Sequence, residues 1–368
     1  TELHSPTTPT RSHTSLKMST KKICGFGNPL LDISCHVDQA TLDDWGAQLN
    51  NAILAEEKHQ PKYAELAKRE GVEFIAGGAT LNSIRVAQWV LSAGTAGANA
   101  STAFIGCIGK DEFGETMESQ LKADGVTSLF QKVDGTATGT CAVLVKDAER
   151  SLIANLAAAE KFDFEHFNSE AVQAVVTGTD IFYMAGFPLT HEGGGKTVAA
   201  ISALAGKTVC MNLLAPFIVQ VPPFRAALLE NLKSCSYVFC NESEAAALSG
   251  AMEWGCDEKD IPAIAKKIAA LGANLTAVVT QGADATVICK GETLSTYEVK
   301  GNPWTLGKAD LKDTNGAGDA FVGGFLAGLA TSKDEAACVK SGHAAAGTII
   351  QQSGCTCPAW DTVAAKFA

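Results

Sequence analysis

A polar, glycine-rich segment near the C-terminus carries the residues best suited to chemistry. Residues 313–321 read DTNGAGDAF and run directly into the apolar stretch VGGFLAGLA. Gly316, Ala317 and Gly318 leave backbone N–H groups uncovered at the positive end of the predicted helix, where a phosphoryl group can bind. A carboxylate beside such a nest can remove a hydroxyl proton while the nest stabilises charge on the phosphoryl oxygens. The segment therefore predicts phosphoryl transfer to an alcohol, with Asp319 as the general base.

Each of these features also has a purely structural interpretation. An isolated Asp in the first turn of a helix is more often a capping residue, and it is the spacing of the glycines that favours the catalytic role. A second glycine pair, Gly77 and Gly78, precedes Asn82 in the segment FIAGGATLNSIRVAQW. Taken alone, this pair predicts only a turn between a strand and a helix.

Two other stretches imitate nucleotide-binding motifs without their spacing. Residues 25–27 open a G-x-G-x-x-G pattern, but Leu30 occupies its sixth position. A P-loop needs a glycine five positions before the glycine of Gly-Lys-Thr. In the two Gly-Lys-Thr tripeptides of this chain that position is Thr190 or Ile201, so neither is a P-loop.

Composition narrows the classes of function. The chain has 368 residues, 46% of them hydrophobic, and 40 acidic against 29 basic residues give a net charge of −11. This balance, without a basic cluster, argues against nucleic-acid binding, and no apolar run is long enough for a membrane span. The 12 cysteines lack a C-x-x-C spacing, which predicts reduced, mostly buried thiols and a cytoplasmic location. Any bound phosphates must be neutralised locally by helix N-termini, a few basic side chains and a divalent cation.

Short β-branched runs alternate with helical patterns from residue 21 onward. This alternation predicts an α/β fold with a doubly wound, mostly parallel sheet covered by helices on both faces, plus a small α/β lid. We assign residues 21–31, 79–134 and 161–368 to the large domain. Residues 32–78 and 135–160 form the lid, in which the alternating pattern of residues 138–146 predicts a half-exposed sheet. Residues 1–17 are expected to be a disordered extension or an expression-vector remnant.

The two glycine segments together resemble the signature stretches of the ribokinase-like (PfkB-type) carbohydrate kinase family. Further segments resemble its adenosine kinase branch, in the same order along the chain: GNPLLDIS (27–34), RSLIANLAAAEKF (150–162), AGFPLT (185–190), NLLAPFI (212–218) and CNESEAAAL (240–248). The resemblance extends from about residue 21 to the C-terminus. It implies a ribokinase-like fold, with the ATP and catalytic site in the large domain and the lid over the nucleoside site.

The resemblance implies roles for individual residues. Asp319 would be the base acting on the 5′-hydroxyl, the backbone of residues 316–318 the anion hole, and Arg150 a phosphate contact in the catalytic group. Asp32 would accept hydrogen bonds from the ribose hydroxyls. The residues implied in adenosine binding are Asn28, Leu30, Asp32, Leu54, Gly77, Gly78, Asn82, Cys141, Leu152, Ala154, Phe187, Phe217 and Asn315. Each apolar member could equally be plain core, and Arg150 a solvated surface residue.

The resemblance also implies an ATP site and a metal. Its ATP-binding residues would be Asn241, Thr280, Gly282, Asp313, Gly316, Gly318 and His343. Glu244, in the segment Asn-Glu-Ser-Glu, would position Mg²⁺ largely through water. An N-cap asparagine followed by acidic first-turn residues explains the same segment, and both interpretations can hold.

The implied reaction is ATP plus adenosine giving ADP and AMP, a step of purine salvage and AMP biosynthesis. The partners would be adenosine and ATP, and a monomer is expected. Two alternatives stay open. One is a kinase of another nucleoside or a free sugar, against which the aromatic pair Phe187 and Phe217 argues. The other is a non-catalytic nucleoside-binding protein, which would be expected to have lost Asp319 or the glycine nest.

Overall fold

The computed structural model of the chain describes residues 20–49, 51–94, 102–146, 149–299 and 311–367. The predicted extension, residues 1–17, lies outside these ranges. The strands within them are β1 (Ile23–Phe26), β2 (Leu30–His36), β3 (Asn51–Leu54), β4 (Glu73–Gly77), β5 (Thr102–Gly109), β6 (Val126–Val133), β7 (Thr140–Lys146), β8 (Glu149–Asn155), β9 (Ile181–Ala185), β10 (Thr208–Asn212), β11 (Tyr237–Asn241), β12 (Thr276–Gln281), β13 (Asp284–Lys290) and β14 (Thr293–Tyr297).

The helices in the same ranges follow the alternation seen in the sequence. They are α1 (Gln39–Trp45), α2 (Gln60–Leu66), α3 (Ala79–Gly94), α4 (Glu112–Asp124), α5 (Phe164–Phe167), α6 (Glu170–Gly178), α7 (Glu192–Ser202), α8 (Pro216–Gln220), α9 (Pro222–Leu232), α10 (Glu242–Ala251), α11 (Ile261–Ala269), α12 (Ala317–Ala330) and α13 (Glu335–Ile349).

The larger sheet has nine strands in the order β14-β13-β12-β11-β10-β9-β1-β5-β6. Strands β12 to β6 in this order pair in parallel, and only β13 and β14 are antiparallel. Side chains of β9 alternate between two cores, since Phe182 and Met184 belong to one cluster and Tyr183 to the other. A parallel sheet buried on both faces is what continuous apolar runs predict, and the doubly wound fold is confirmed.

Helix α12 carries the catalytic candidate and is held against its neighbours by glycines. A Cβ atom added to Gly323 would lie 2.6 Å from the Ser83 carbonyl oxygen of α3. One added to Gly324 would lie 2.4 Å from the Ser341 carbonyl oxygen of α13. These close approaches fix the position of α12, and therefore of its first turn, relative to the sheet.

The smaller sheet has five strands in the order β3-β8-β7-β2-β4. The expectation of a half-exposed sheet at residues 138–146 was wrong, because β7 is buried along almost its whole length. Ala142 and Leu144 pack into the lid core on one side, while Cys141 and Val143 pack against Leu30 and other residues on the opposite side. Both faces of the central strand are therefore covered, and an alternating pattern alone does not distinguish this from a sheet with one face in water.

All five strands of the smaller sheet lie within or beside the segments assigned to the lid. Its strand β2 begins at Leu30, two residues before the predicted boundary, and pairs with β4 and β7. The exact domain limits stay a prediction.

Candidate active site

The predicted anion-binding segment forms a tight turn into helix α12. Gly316 is the N-cap residue in the left-handed conformation, with φ 77°, which glycine adopts without strain. A Cβ atom on Gly318 would meet nothing within 4 Å, so the space beside this residue is open. The Ala317 N–H donates to the Thr314 carbonyl at 3.3 Å, which leaves Gly316 and Gly318 as the candidates for anion contacts. Residues of this turn line a large cavity, as a phosphoryl site requires.

Asp319 lies in the first turn of α12 and faces the same cavity. Its Oδ2 accepts a hydrogen bond of 3.0 Å from Nδ2 of Asn82, on helix α3. Burial raises the pKa of Asp319 to about 6, and this hydrogen bond opposes the shift because it favours the carboxylate. A carboxylate with a pKa near the working pH suits a general base.

The Gly77-Gly78 pair brings Asp32 and Asn82 to the cavity. A Cβ atom on Gly77 would lie 2.5 Å from Oδ2 of Asp32, so only glycine leaves room for that carboxylate. Gly78 has φ +98°, and a Cβ atom there would lie 2.4 Å from the Asn28 carbonyl oxygen. Burial raises the pKa of Asp32 to about 7, opposed first by the charge of Arg85. The glycines thus have a packing explanation, and Gly77 itself does not line the cavity.

The large cavity lies between the two sheets and has a volume of about 580 Å³. Strands of the smaller sheet contribute apolar residues, and Phe187 and Phe217 form an edge-to-face pair with centroids 5.3 Å apart. Most of the predicted adenosine residues line this cavity: Leu30, Asp32, Leu54, Gly78, Asn82, Cys141, Leu152, Ala154, Phe187, Phe217 and Asn315. Leu54, at 50% exposure, and Asn315 are the exposed members of this set.

A second cavity of about 240 Å³ adjoins the first across the start of α12. Ala317, Gly318, Asn241 and Thr280 line both cavities. The predicted ATP residues Gly282 and His343 line the second cavity, which they share with Thr286. An atom held at the turn before Asp319 is therefore accessible from two sides.

Glu244 and Asn241 form a capping box at the start of α10. The Asn241 side chain accepts from the Glu244 backbone N–H at 2.8 Å, and Oε2 of Glu244 accepts from the Asn241 backbone N–H at 3.0 Å. Burial raises the pKa of Glu244 to about 7. The structural interpretation of this segment is confirmed, while Glu244 still lines the large cavity.

Arg150 and Asp313 lie behind the large cavity rather than in it. Arg150 Nε is 2.7 Å from Asp313 Oδ1, and both side chains are buried. Asp313 also accepts from the backbone N–H groups of Asn315 and Gly354, at 3.0 and 2.9 Å. The pair closes a water-sized space of about 20 Å³ beside Asp32. In this structure Asp313 therefore organises the loop, and Arg150 pairs with it.

Asn28 also lies outside the large cavity. Nε2 of His191 lies 3.4 Å from Asn28 Oδ1, and Nδ1 of His191 accepts from the Gly194 backbone N–H. A backbone donor requires an unprotonated Nδ1, so in this neutral ring Nε2 carries the hydrogen and donates to Asn28 Oδ1.

Several residues that line the large cavity were not predicted from the sequence. Asn212, Leu214 and Ala215 lie in the segment NLLAPFI but were not singled out, and they line the large cavity together with Phe239 and Val322. The left-handed backbone of Leu214 is invisible in a sequence, because no glycine or asparagine marks it.

The cysteines, possible metal ligands and helix lengths were also compared with the predictions from the sequence. All 12 cysteines are free, and ten of them are buried, which confirms the prediction of unpaired thiols. Within the described ranges, no three His, Cys, Asp or Glu side chains converge on a metal site. None of the helices there combines the length and apolar character needed to cross a membrane.

Comparison with known proteins identifies close relatives over almost the whole chain. The profile of the pfkB family carbohydrate kinases matches residues 42–362. Adenosine kinase 1 of Arabidopsis thaliana is 43% identical over 342 residues, which cover 91% of this chain and 96% of the relative. The adenosine kinase of Dictyostelium discoideum is 39% identical, over 93% of this chain and 98% of the relative.

The solved structures that this fold resembles are also adenosine kinases. An Anopheles gambiae adenosine kinase in complex with P1,P4-di(adenosine-5) tetraphosphate has a TM-score of 0.80 and 41% identity, covering 90% of this chain and 96% of its own. A Schistosoma mansoni adenosine kinase in complex with adenosine and AMP has a TM-score of 0.81 and 29% identity, covering 92% and 98%.

Proposed function

Because the chain belongs to the pfkB family of carbohydrate kinases and is an ATP-dependent phosphotransferase of the adenosine kinase type, we propose that Asp319 is its general base. The acceptor is the 5′-hydroxyl of adenosine and the donor is the γ-phosphate of ATP. The observation that carries this proposal is the position of Asp319, held by Asn82 at the turn where the two cavities meet.

The two cavities suggest a place for each substrate. Adenosine fits the larger cavity, with its base between Phe187, Phe217 and the apolar strand residues and its ribose toward Asp32, Gly78 and Asn82. ATP fits the smaller cavity beside Thr280, Gly282 and His343. Its γ-phosphate would then reach the turn formed by residues 316–318, which borders both cavities.

The reaction follows from these positions. The 5′-oxygen bonds to the γ-phosphorus while the bond from that phosphorus to the bridging oxygen of ADP breaks, and the hydroxyl proton passes to Asp319. The backbone N–H groups of Gly316 and Gly318 stabilise charge on the transferring oxygens. The raised pKa of Asp319 lets the same carboxylate accept the proton and later release it to water.

Glu244 has the surroundings expected for a hydrated Mg²⁺ ion. Both of its oxygens accept hydrogen bonds from Asn241 and it lines the large cavity, so its free lone pairs can hold metal-bound water. Such an ion, when bound with ATP, neutralises phosphate charge in a protein of net charge −11. Arg150 and Asp313 would support the loop, and Arg150 would reach phosphate only by leaving its present partner.

An assay of ADP formation tests this function. Adenosine should be the preferred acceptor over inosine, guanosine, ribose and fructose, and the product should carry its phosphate on the 5′-oxygen. A protein that forms ADP with a free sugar as readily as with adenosine would contradict the assignment.

A further inference from the structure

Leu214 has a backbone conformation that a branched side chain seldom adopts. Its φ is 72°, in the left-handed region, where the Cβ atom of an L-residue crowds the carbonyl oxygen. Bulky residues in this region are outliers that persist only where their surroundings hold them. Leu214 is also only partly buried and lines the large cavity. A strained, apolar and accessible residue in a ligand cavity needs an explanation other than core packing.

A hydrogen-bond network holds this conformation. The Leu214 backbone N–H donates to Asn212 Oδ1 at 2.8 Å, and Asn212 Nδ2 donates to the Tyr183 hydroxyl at 3.2 Å. Tyr183 is fully buried between the large sheet and its helices. The left-handed turn is therefore anchored to strands β9 and β10 of the larger sheet.

The neighbours of Leu214 indicate what its side chain would contact. Ala215 and Phe217 follow it in the chain and line the same cavity. Phe217 makes the edge-to-face contact with Phe187. Phe187 in turn packs against apolar residues of the smaller sheet, including Cys141 and Val143, so this is the apolar part of the cavity. The groups proposed for ribose and for phosphate, Asp32 and the turn of residues 316–318, belong to other elements.

We propose that Leu214 is a specificity-determining residue for the nucleobase, held by Asn212 in a strained conformation that brings its side chain to the base pocket. The proposal rests on the proposed function, since it assumes that a nucleoside base fills this part of the cavity. An apolar side chain at the edge of a base excludes added substituents by its volume, and one methylene changes discrimination by roughly tenfold or more.

Leu214→Ala and Leu214→Gly form a matched pair for the test. Both remove the side chain, so both should lower the preference for adenosine over at least one adenosine bearing an added group at C2, N6 or C8. We expect the ratio of kcat/KM values for adenosine and that analogue to fall about tenfold. The glycine variant should have the higher Tm of the two, because only glycine relieves the left-handed strain.

Glu253 provides the control, since its φ is 54° and it does not line the large cavity. Glu253→Gly should likewise be more stable than Glu253→Ala, while both keep the native preference among the analogues. Asn212→Ala should reproduce the loss of discrimination, and Asn212→Asp, which keeps an acceptor for the Leu214 N–H, should retain more of it.

The proposal is overturned if both Leu214 variants keep the native preference for adenosine over every analogue. It is also overturned if Leu214→Gly is no more stable than Leu214→Ala. Failure of the proposed function would look different, because the native protein itself would then not phosphorylate adenosine.

Discussion

Asn82 and Asp319 are 237 positions apart in the chain, and the amide of Asn82 donates a 3.0 Å hydrogen bond to the carboxylate of Asp319. The contact joins helix α3 to the first turn of α12, two helices that approach closely at Gly323. It fixes the orientation of the proposed base before any substrate binds. It also stabilises the charged form of a carboxylate that burial would otherwise neutralise.

Removing this hydrogen bond should change the pH dependence of catalysis. In Asn82→Ala the pKa of Asp319 should rise further, because burial then acts without its main opposing contact. The acidic limb of the kcat profile should therefore move to higher pH. A series of kcat measurements from pH 5 to 9 would show it. Ser92→Ala is the control, because Ser92 is an exposed residue of the same helix whose hydroxyl accepts from Gln88. An unmoved acidic limb would argue against a role for Asn82 in tuning the base.

Substitution of Gly318 by alanine should lower activity without lowering stability. A Cβ atom there would meet no protein atom within 4 Å, so Gly318→Ala should match or exceed native stability, by up to about 1 kcal/mol for a helical position. The added methyl group would occupy the space proposed for the phosphoryl oxygens, and kcat should fall by about tenfold or more. Gly250→Ala, an equally open helical glycine outside both cavities, should keep native kinetics. Near-native turnover of Gly318→Ala would remove this residue from the anion hole.

Gly324 should show the opposite behaviour. A Cβ atom there would lie 2.4 Å from the Ser341 carbonyl oxygen, and relieving this clash requires α12 and α13 to move apart. Gly324→Ala should lower the free energy of unfolding by about 1–3 kcal/mol, measured by urea denaturation against Gly250→Ala. Unchanged stability would mean that the two helices are not as closely packed as described.

Burial of the cavity carboxylates should make stability depend on pH. The folded pKa of Glu244 is about 7 against an ordinary value of 4.5, so the folded state holds this proton more tightly than the unfolded chain. The stabilisation is complete below about pH 4.5 and is lost as pH rises through 7. Asp32, also at about 7, and Asp319, at about 6, contribute with the same sign.

Histidines with a lowered pKa change the stability in the opposite direction with pH. The contribution of Glu244 is therefore measured by comparing the native protein with a variant that lacks this carboxylate. His191 and His343 have pKa values of about 4 against an ordinary 6.5, and their contribution is lost as pH falls below 6.5. Glu244→Gln removes only the glutamate contribution. The Tm of the ligand-free native protein should therefore fall more between pH 6 and 8.5 than the Tm of the variant. Parallel curves would contradict a raised pKa for Glu244.

The sequence was sufficient to predict the doubly wound sheet and the turn that precedes Asp319. Both depend on local patterns: apolar runs that alternate with helices, and glycines at a helix start. The burial of β7 was not predictable in this way, because its second face is covered by residues distant in the chain, including Leu30.

The same distinction applies within the site. Gly77 was expected at the substrate, yet its lack of a side chain is explained by the Asp32 carboxylate packed against it. Asp313 and Arg150 were expected at phosphate, yet they pair with each other. Neither contact can be predicted from the local sequence, because each joins residues that are distant in the chain and meet only in the folded protein.

Asp319→Asn gives the most direct test of the proposed mechanism. The substitution keeps the shape and the oxygen that accepts from Asn82, but it removes the group that takes the proton. Single-turnover transfer of labelled γ-phosphate from ATP to adenosine should slow by roughly 10²- to 10⁴-fold, while the Kd for adenosine changes little. A variant that transfers phosphate at a near-native rate would show that Asp319 is not the base.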